Sequence, residues 1–152
     1  MTIDARLAEL GIALPEAAAP AANYVPFVEA VGLLHISGQI PFDAGGQLIR
    51  GRLGEDMGVA EGQEAARRCA IGLLAQMKAA LGSLDRVAQI VKLSVFVNSA
   101  PGFTDQPEVA NGASDLMVAV FGERGRHARS AVGVAVLPRG VAVEIDAVVA
   151  VS

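Results

Sequence analysis

The sequence predicts an α+β fold: one mixed sheet with two helices on one face, assembled into oligomers through the other. Three observations carry that prediction. Apolar patterning gives the element order strand–strand–(strand)–helix–strand–helix–strand–strand, which segregates helices to one side of a sheet. The strands are too apolar on both sides for either side to face water. The chain of 152 residues is 53% hydrophobic and only 18% charged, at a mean hydropathy of +0.46. Every apolar run is interrupted before the ~20 residues of a membrane span, so the excess apolar surface is assigned to a subunit interface, sheet against sheet. The length suits one domain over residues 1–152.

Residues 1–23 read as a helix and an arm. Ile3, Leu7 and Leu10 have helical spacing that ends at Gly11, and the Ala/Pro-rich stretch 13–22 is too short for an interdomain linker. Residues 24–37 alternate loosely about Gly32, predicting two strands and a tight turn. Ser37-Gly38-Gln39-Ile40-Pro41 breaks that pattern, Asp43-Ala44-Gly45-Gly46 signals a turn, and Gln47 to Arg52 could form a short third strand. Over 57–81, Val59, Gly62, Ala66, Cys69, Leu73, Met77 and Ala80 make one apolar stripe of helical period. Asp56 fits its N-cap, Gly82 its C′ position, and Glu64 with Arg68 an exposed pair four residues apart.

Residues 87–97 predict a strand with Val91, Leu93, Val95 and Val97 on a dry face and Lys92, Ser94 and Asn98 on the other. Asp105 and Pro107 open a second helix over 106–121. Its buried stripe is Val109, Ala113, Leu116, Met117 and Val120, and Gly122 ends it. Residues 129–137 and 141–151 predict two strands joined at Pro138-Arg139-Gly140.

Composition also excludes function classes. A net charge of -4, a pI near 5.1 and no basic, aromatic-interleaved patch argue against nucleic-acid binding. One cysteine, Cys69, and two histidines, His35 and His127, lack any metal-binding spacing, so no metal site is expected. Residues 1–10 carry Asp4 and Glu9 and no basic segment before a long apolar one, which predicts a cytoplasmic protein without membrane association. Cys69 reads as core, His35 as structural and His127 as a solvated loop residue. Gly45-Gly46 does not resemble a phosphate loop, and Ser37-Gly38 lacks the context of a nucleophile elbow.

Arg129 and Glu144 are harder to dismiss. Arg129 opens a strand that is otherwise uncharged to Leu137, while Glu144 lies between Val143 and Ile145 with Asp146 on its own face. Charges in such strands are paired, at an edge or functional. Either the two form an interface ion pair, or Arg129 grips a carboxylate with its planar fork.

These residues fall in blocks that resemble a known family. Ser37-Gly38-Gln39-Ile40-Pro41, Val95-Phe96-Val97, Ala128-Arg129-Ser130-Ala131-Val132, Leu137-Pro138 and Val143-Glu144-Ile145-Asp146-Ala147 are similar, in order and spacing from Tyr24 onward, to the RidA/YjgF family, also labelled endoribonuclease L-PSP. Asn111 to Leu116, with Gly125-Arg126-His127, resembles a branch with a longer N-terminus than the archetypal deaminases. The resemblance implies a fold similar to bacterial chorismate mutase. It implies a homotrimer with sheets around a central barrel and small-molecule sites between subunits. It further implies hydrolysis of a reactive enamine or imine of a 2-keto acid, such as 2-iminobutanoate or 2-iminopropanoate, to keto acid and ammonia, without cofactor.

By the same resemblance, Arg129 binds the substrate carboxylate and Glu144 helps hold the attacking water. Tyr24 lines the pocket, the Gly38 backbone contacts substrate beside Ser37, and Asn111 matches a family asparagine. Ala131 stands where archetypal members often have cysteine and contributes only a backbone carbonyl. The alternatives are a non-catalytic trimer that binds small carboxylates and, against the acidic pI, a ribonuclease. If Pro138-Arg139-Gly140 closes a hairpin with Leu137 opposite Val141, Val134 faces Glu144 and Arg129 faces Val149. Arg129 and Glu144 of one chain would then lie ~17 Å apart along the ladder, too far for one small substrate, so the site is expected to span two subunits.

Overall fold

The computed structural model describes residues 1–152. The chain forms α1 (Ile3–Glu9), β1 (Phe27–Ala30), β2 (Leu33–Gln39), α2 (Val59–Leu81), β3 (Val87–Asn98), α3 (Gln106–Phe121), β4 (Ala128–Val134) and β5 (Val143–Val151). The strands make one five-stranded sheet in the order β1-β2-β5-β3-β4, in which only β3 and β4 run parallel. The predicted α+β class, with a mixed sheet and both long helices on one face, is what the structure contains. No helix is long and apolar enough to cross a membrane.

Strand alternation puts Ile90, Leu93, Val95 and Val97 of β3, with Val143, Ile145, Ala147 and Val149 of β5, on the helix face. They pack against Ala66, Cys69, Leu73 and Met77 of α2 and Val109, Ala113, Met117 and Val120 of α3 in a single aliphatic core. Burial of each large side chain there contributes about 1.5–3 kcal/mol. The two helices approach closely because Gly112 has no side chain: a Cβ there would overlap the backbone carbonyl of Gln63. α2 is buried over more of its circumference than one stripe, because Ile71, Leu74, Ala75 and Gln76 are buried too. The N-terminal arm reaches this side, where Gln76 Nε2 donates to Ala18 O at 2.8 Å.

Local expectations fail in several places, each for a tertiary reason. β4 and β5 do not form a hairpin. β4 leaves α3 as the return of a crossover and therefore pairs parallel with β3, Arg129 lying beside Leu93 rather than Val149. Residues 135–142 then pass the end of β3, where Asn98 Nδ2 donates to Val141 O at 3.1 Å, and β5 inserts between β2 and β3. Glu144 consequently lies beside Phe96, not Val134. Gln47 to Arg52 makes only the isolated bridge at Leu48 and another at Arg50.

Val91 is an extra residue where the β3–β5 register shifts, so it is exposed and Ile90 takes the inward place. Gly58, not Asp56, caps α2: its N–H donates to Glu61 Oε1 at 3.2 Å, while Asp56 accepts from Arg52 N at 2.7 Å. Asp105 occupies the N-cap of α3 without a side-chain bond. Glu64 pairs with Arg67 at 3.8 Å instead of Arg68, whose Nε donates to Phe42 O at 2.6 Å.

The β1–β2 hairpin turns through Val31 and Gly32, with φ of 47° and 76°. Positive φ at both central residues is the turn that matches strand twist, and it favours Asn-Gly. Val31 is a β-branched residue in the left-handed region and is fully exposed, so it buries nothing in return. Val31→Asn is expected to stabilise the protein by about 1 kcal/mol, read from the midpoint of urea unfolding. An unchanged or lower midpoint contradicts this account of the turn.

Candidate small-molecule site

The open face of the sheet carries a cleft of ≈ 860 Å³ between β2, β5 and the arm. Tyr24, Ser37, Gly38 and Glu144 line it, with His35, Arg139 and Asp146 in its wall. An irregularity in β2 builds the centre. Its register with β5 jumps from Ile36 beside Ala147 to Gln39 beside Ile145, leaving Ser37 and Gly38 between. The break read in the sequence at Ser37-Gly38-Gln39 is therefore a bulge within a continuing strand. Gly38 meets Glu144 there: a Cβ on Gly38 would stand 2.5 Å from Glu144 Oε2. Ser37 Oγ donates to Val25 O at 2.8 Å, which holds the chain leading from Tyr24 against β2. Buried Gln39 donates from Nε2 to Ser37 O at 3.0 Å and accepts from Gln76 at 3.5 Å, tying the bulge to α2.

Burial pushes the Glu144 carboxyl above its ordinary pKa, and the neighbouring charge of Asp146 adds to the rise. Cys69 lies behind this strand, fully buried, with its thiol donating to Val143 O at 3.5 Å and its pKa raised by burial. It is a core residue. His35 is not packed within an apolar interior; it is exposed on the open face, in the cleft wall.

Arg129 belongs to a second cluster. Its row, Arg129–Leu93–Ala147, faces the helices. Nη1 donates to Asn111 Oδ1 at 2.9 Å and to Ser114 Oγ at 3.1 Å, and Nη2 donates to Pro107 O at 3.3 Å. All three acceptors are neutral and come from α3. The guanidinium has five donors; Nε–H and one Nη2–H have no acceptor in the chain. The four ion pairs of the protein involve other residues, so Arg129 and Glu144 form no pair within one chain. Ala131, the next residue on that face of β4, is half-buried against the core.

Sequence reading missed Ser114 and misplaced His127. His127 is half-buried, with Nε2 2.8 Å from Ser114 Oγ and Nδ1 2.6 Å from Gly125 O. Burial lowers its pKa, the Gly125 bond opposes that, and the Arg129 charge lowers it again. The signal was spacing: Ser114 lies three residues after Asn111 on one helix, and His127 two before Arg129.

The structure thus brings Tyr24, Ser37, Gly38 and Glu144 together, and Arg129, Asn111 and Ser114 together, but keeps the two sets apart. Arg129 and Glu144 are two strands and three residues distant in the ladder, about 14 Å between backbones at ~4.8 Å per strand and ~3.3 Å per residue. Their rows have opposite parity, so the side chains leave opposite faces. The predicted hairpin was wrong, yet the separation it was used to argue for is present by another route.

Residues 4–146 match the family model described as "YjgF/chorismate mutase-like, putative endoribonuclease". The chain is 60% identical over 148 residues to Protein TCP17 of Trypanosoma cruzi, covering 97% of this chain and 92% of that one. Among solved structures it resembles Atu1372 of Agrobacterium tumefaciens, a protein of unknown function, at 48% identity and a TM-score of 0.90, over 99% of this chain and 92% of the other. It also resembles RidA of an Antarctic Psychrobacter at 28% identity and a TM-score of 0.63, over 90% and 94% of the two chains.

The contact at Gly38 is testable. Its backbone has no positive φ, and the three atoms nearest an added Cβ all belong to the Glu144 side chain. Gly38→Ala should displace that carboxylate toward water and bring its pKa back down toward the ordinary value. Carboxyl carbon NMR across a pH titration reads this directly; an unchanged Glu144 titration would show that the contact does not set its environment.

Proposed function

The chain belongs to the YjgF/chorismate mutase-like family, and from that premise we propose that it hydrolyses reactive enamine or imine intermediates of small 2-keto acids to keto acid and ammonia. The observation that carries this reading is the state of Arg129. It is a cation held in place by neutral acceptors only, with Nε–H and one Nη2–H left over. A substrate carboxylate fits such a fork and fixes its own orientation on it. Glu144 supplies the second half. In its cleft it accepts a proton from water as the oxygen attacks the carbon of the protonated imine, to which an enamine first tautomerises, forming a neutral carbinolamine. It then gives that proton to the nitrogen and takes the hydroxyl proton as the C–N bond breaks, releasing the keto acid and ammonia, which carries that last proton away as ammonium. A carboxyl whose pKa is raised by burial suits both transfers.

The two halves meet when subunits associate in a ring. The open face exposes Val28, Val91 and Val132, an apolar surface for a second copy. Different patches at the two sides of one sheet suit a heterologous contact, which closes into a cyclic oligomer with one site per interface. We assign Arg129, Asn111 and Ala131 of one subunit and Tyr24, Ser37, Gly38 and Glu144 of the next to each site of a homotrimer. A carboxylate-binding trimer without turnover would use the same arginine and dispense with Glu144.

Arg129→Lys and Arg129→Ala should each lose 2-oxobutanoate affinity by at least about tenfold while the trimer persists in sedimentation. Trimers that dissociate on Arg129→Ala would instead make it an interface residue.

Glu144→Gln should keep that affinity and lose keto-acid release from an enzymatically generated imine by roughly 10²–10⁴-fold. Release should also rise with pH through the raised Glu144 pKa, because the ionised form takes the proton. Binding without release in the unaltered protein would favour the non-catalytic reading.

Mixed trimers of Arg129→Ala and Glu144→Gln chains should recover activity at about one quarter of their sites, since each site draws on two subunits. No recovery would place both residues of a site on one chain.

A further inference from the structure

We propose that Ser114 and His127 are positioning residues, which fix the Arg129 guanidinium through a directed hydrogen-bond chain so that its free edge stays turned to the substrate carboxylate. The inference rests on the reading of Arg129 given above and adds two residues to that site.

Donor and acceptor chemistry sets the direction of the chain. Gly125 O can only accept, so His127 Nδ1 carries a hydrogen and donates to it at 2.6 Å. In the neutral ring Nε2 is then an acceptor, and its partner at 2.8 Å, Ser114 Oγ, must supply its hydroxyl hydrogen. That turns the hydroxyl lone pairs away from the histidine. Arg129 Nη1, which can only donate, meets them at 3.1 Å. With Asn111 Oδ1 at 2.9 Å, both hydrogens of Nη1 are engaged. The guanidinium cannot rotate about its stem without losing one of them, so its remaining donors keep a single heading. Arginine side chains otherwise lose rotamer entropy on being fixed; here much of that ordering precedes the ligand.

The neutrality of the ring belongs to the same arrangement. Burial and Arg129 both lower the His127 pKa. Other charged groups nearby are turned away or occupied. Asp115 on α3 is exposed, and Lys92 on β3 leaves the opposite face of the sheet. Arg124 donates to Val87 O at 2.7 Å, and Arg126 pairs with Glu123 at 3.1 Å. A carboxylate arriving on Arg129 offsets the one positive charge facing the ring. The His127 pKa must then rise, and by linkage the carboxylate binds more tightly where His127 is protonated.

The test measures 2-oxobutanoate affinity by calorimetry on Ser114→Ala, Ser114→Thr, His127→Leu and Arg129→Ala. Ser114→Ala and His127→Leu should lose affinity about five- to tenfold, and Ser114→Thr, which keeps the hydroxyl, should restore most of it. Unaltered affinity in Ser114→Ala and His127→Leu, with Arg129→Ala still defective, overturns the positioning role and leaves the reading of Arg129 standing. Unaltered affinity in Arg129→Ala overturns both. A measurement on the unaltered protein needs no variant to fold. Saturating 2-oxobutanoate should raise the His127 pKa in an imidazole NMR titration, and a titration unmoved by ligand overturns the inference.

Discussion

β5 pairs along both of its edges, with β2 from Ala150 to Ile145 and with β3 from Val151 to Val143. Its backbone groups are satisfied within the sheet, which is the condition for burying a strand this apolar. The rest of the architecture follows from that placement. With the last strand of the chain at the centre, β4 is left at one edge and β1 at the other, and α2 and α3 must cover the two halves of one face. Glu144 therefore sits in the middle of the sheet and Arg129 at its rim. Their separation is a property of topology and not of side-chain choice.

The two charged residues meet their surroundings in different ways. Glu144 is accommodated by an absence, the missing side chain of Gly38, and its carboxyl is partly removed from water. Arg129 is accommodated by a set of neutral acceptors along one helix. Neither finds an opposite charge within its chain, whereas every ion pair that does form is at the surface, where such pairs contribute little. The charges that pair within the chain and the two that line the candidate site are distinct sets.

Elements whose burial follows one period were legible in the sequence. α3 matches its predicted span, every residue of its predicted stripe is buried along with Ala110 and Phe121, and α2 begins at Val59 within the segment read as helical. Pairing partners were not legible, because alternation in β4 is the same whether it joins β5 antiparallel or β3 parallel. Pro138-Arg139-Gly140 reads locally as a hairpin turn, and Arg139 does take a φ of 62° there, but the chain uses the turn to pass the end of β3. Val91 shows a related limit: one residue inserted in a ladder reverses the face of its neighbours, and nothing in the strand's composition marks it. The two histidines exchanged their expected surroundings, His127 being half-buried and His35 exposed, because burial is conferred by elements distant in sequence. Tyr24 and Asn111 were named only by family resemblance, which set them in one site with Arg129 and Glu144 and did not mark the two clusters; Ser114 had no such marker beyond its spacing from Asn111.

The arm from Ala13 to Val25 both lies over α2 and forms a wall of the Glu144 cleft, yet its tie to the body is sparse: Gln76 holds it through Ala18 O, and Ser37 through Val25 O. Most of its residues are exposed. Such a segment opens at low free energy while β3 and β5 stay shut. The wall of the cleft on that side is therefore held by two hydrogen bonds to the body, while the strands behind it are tied along their whole length by the sheet.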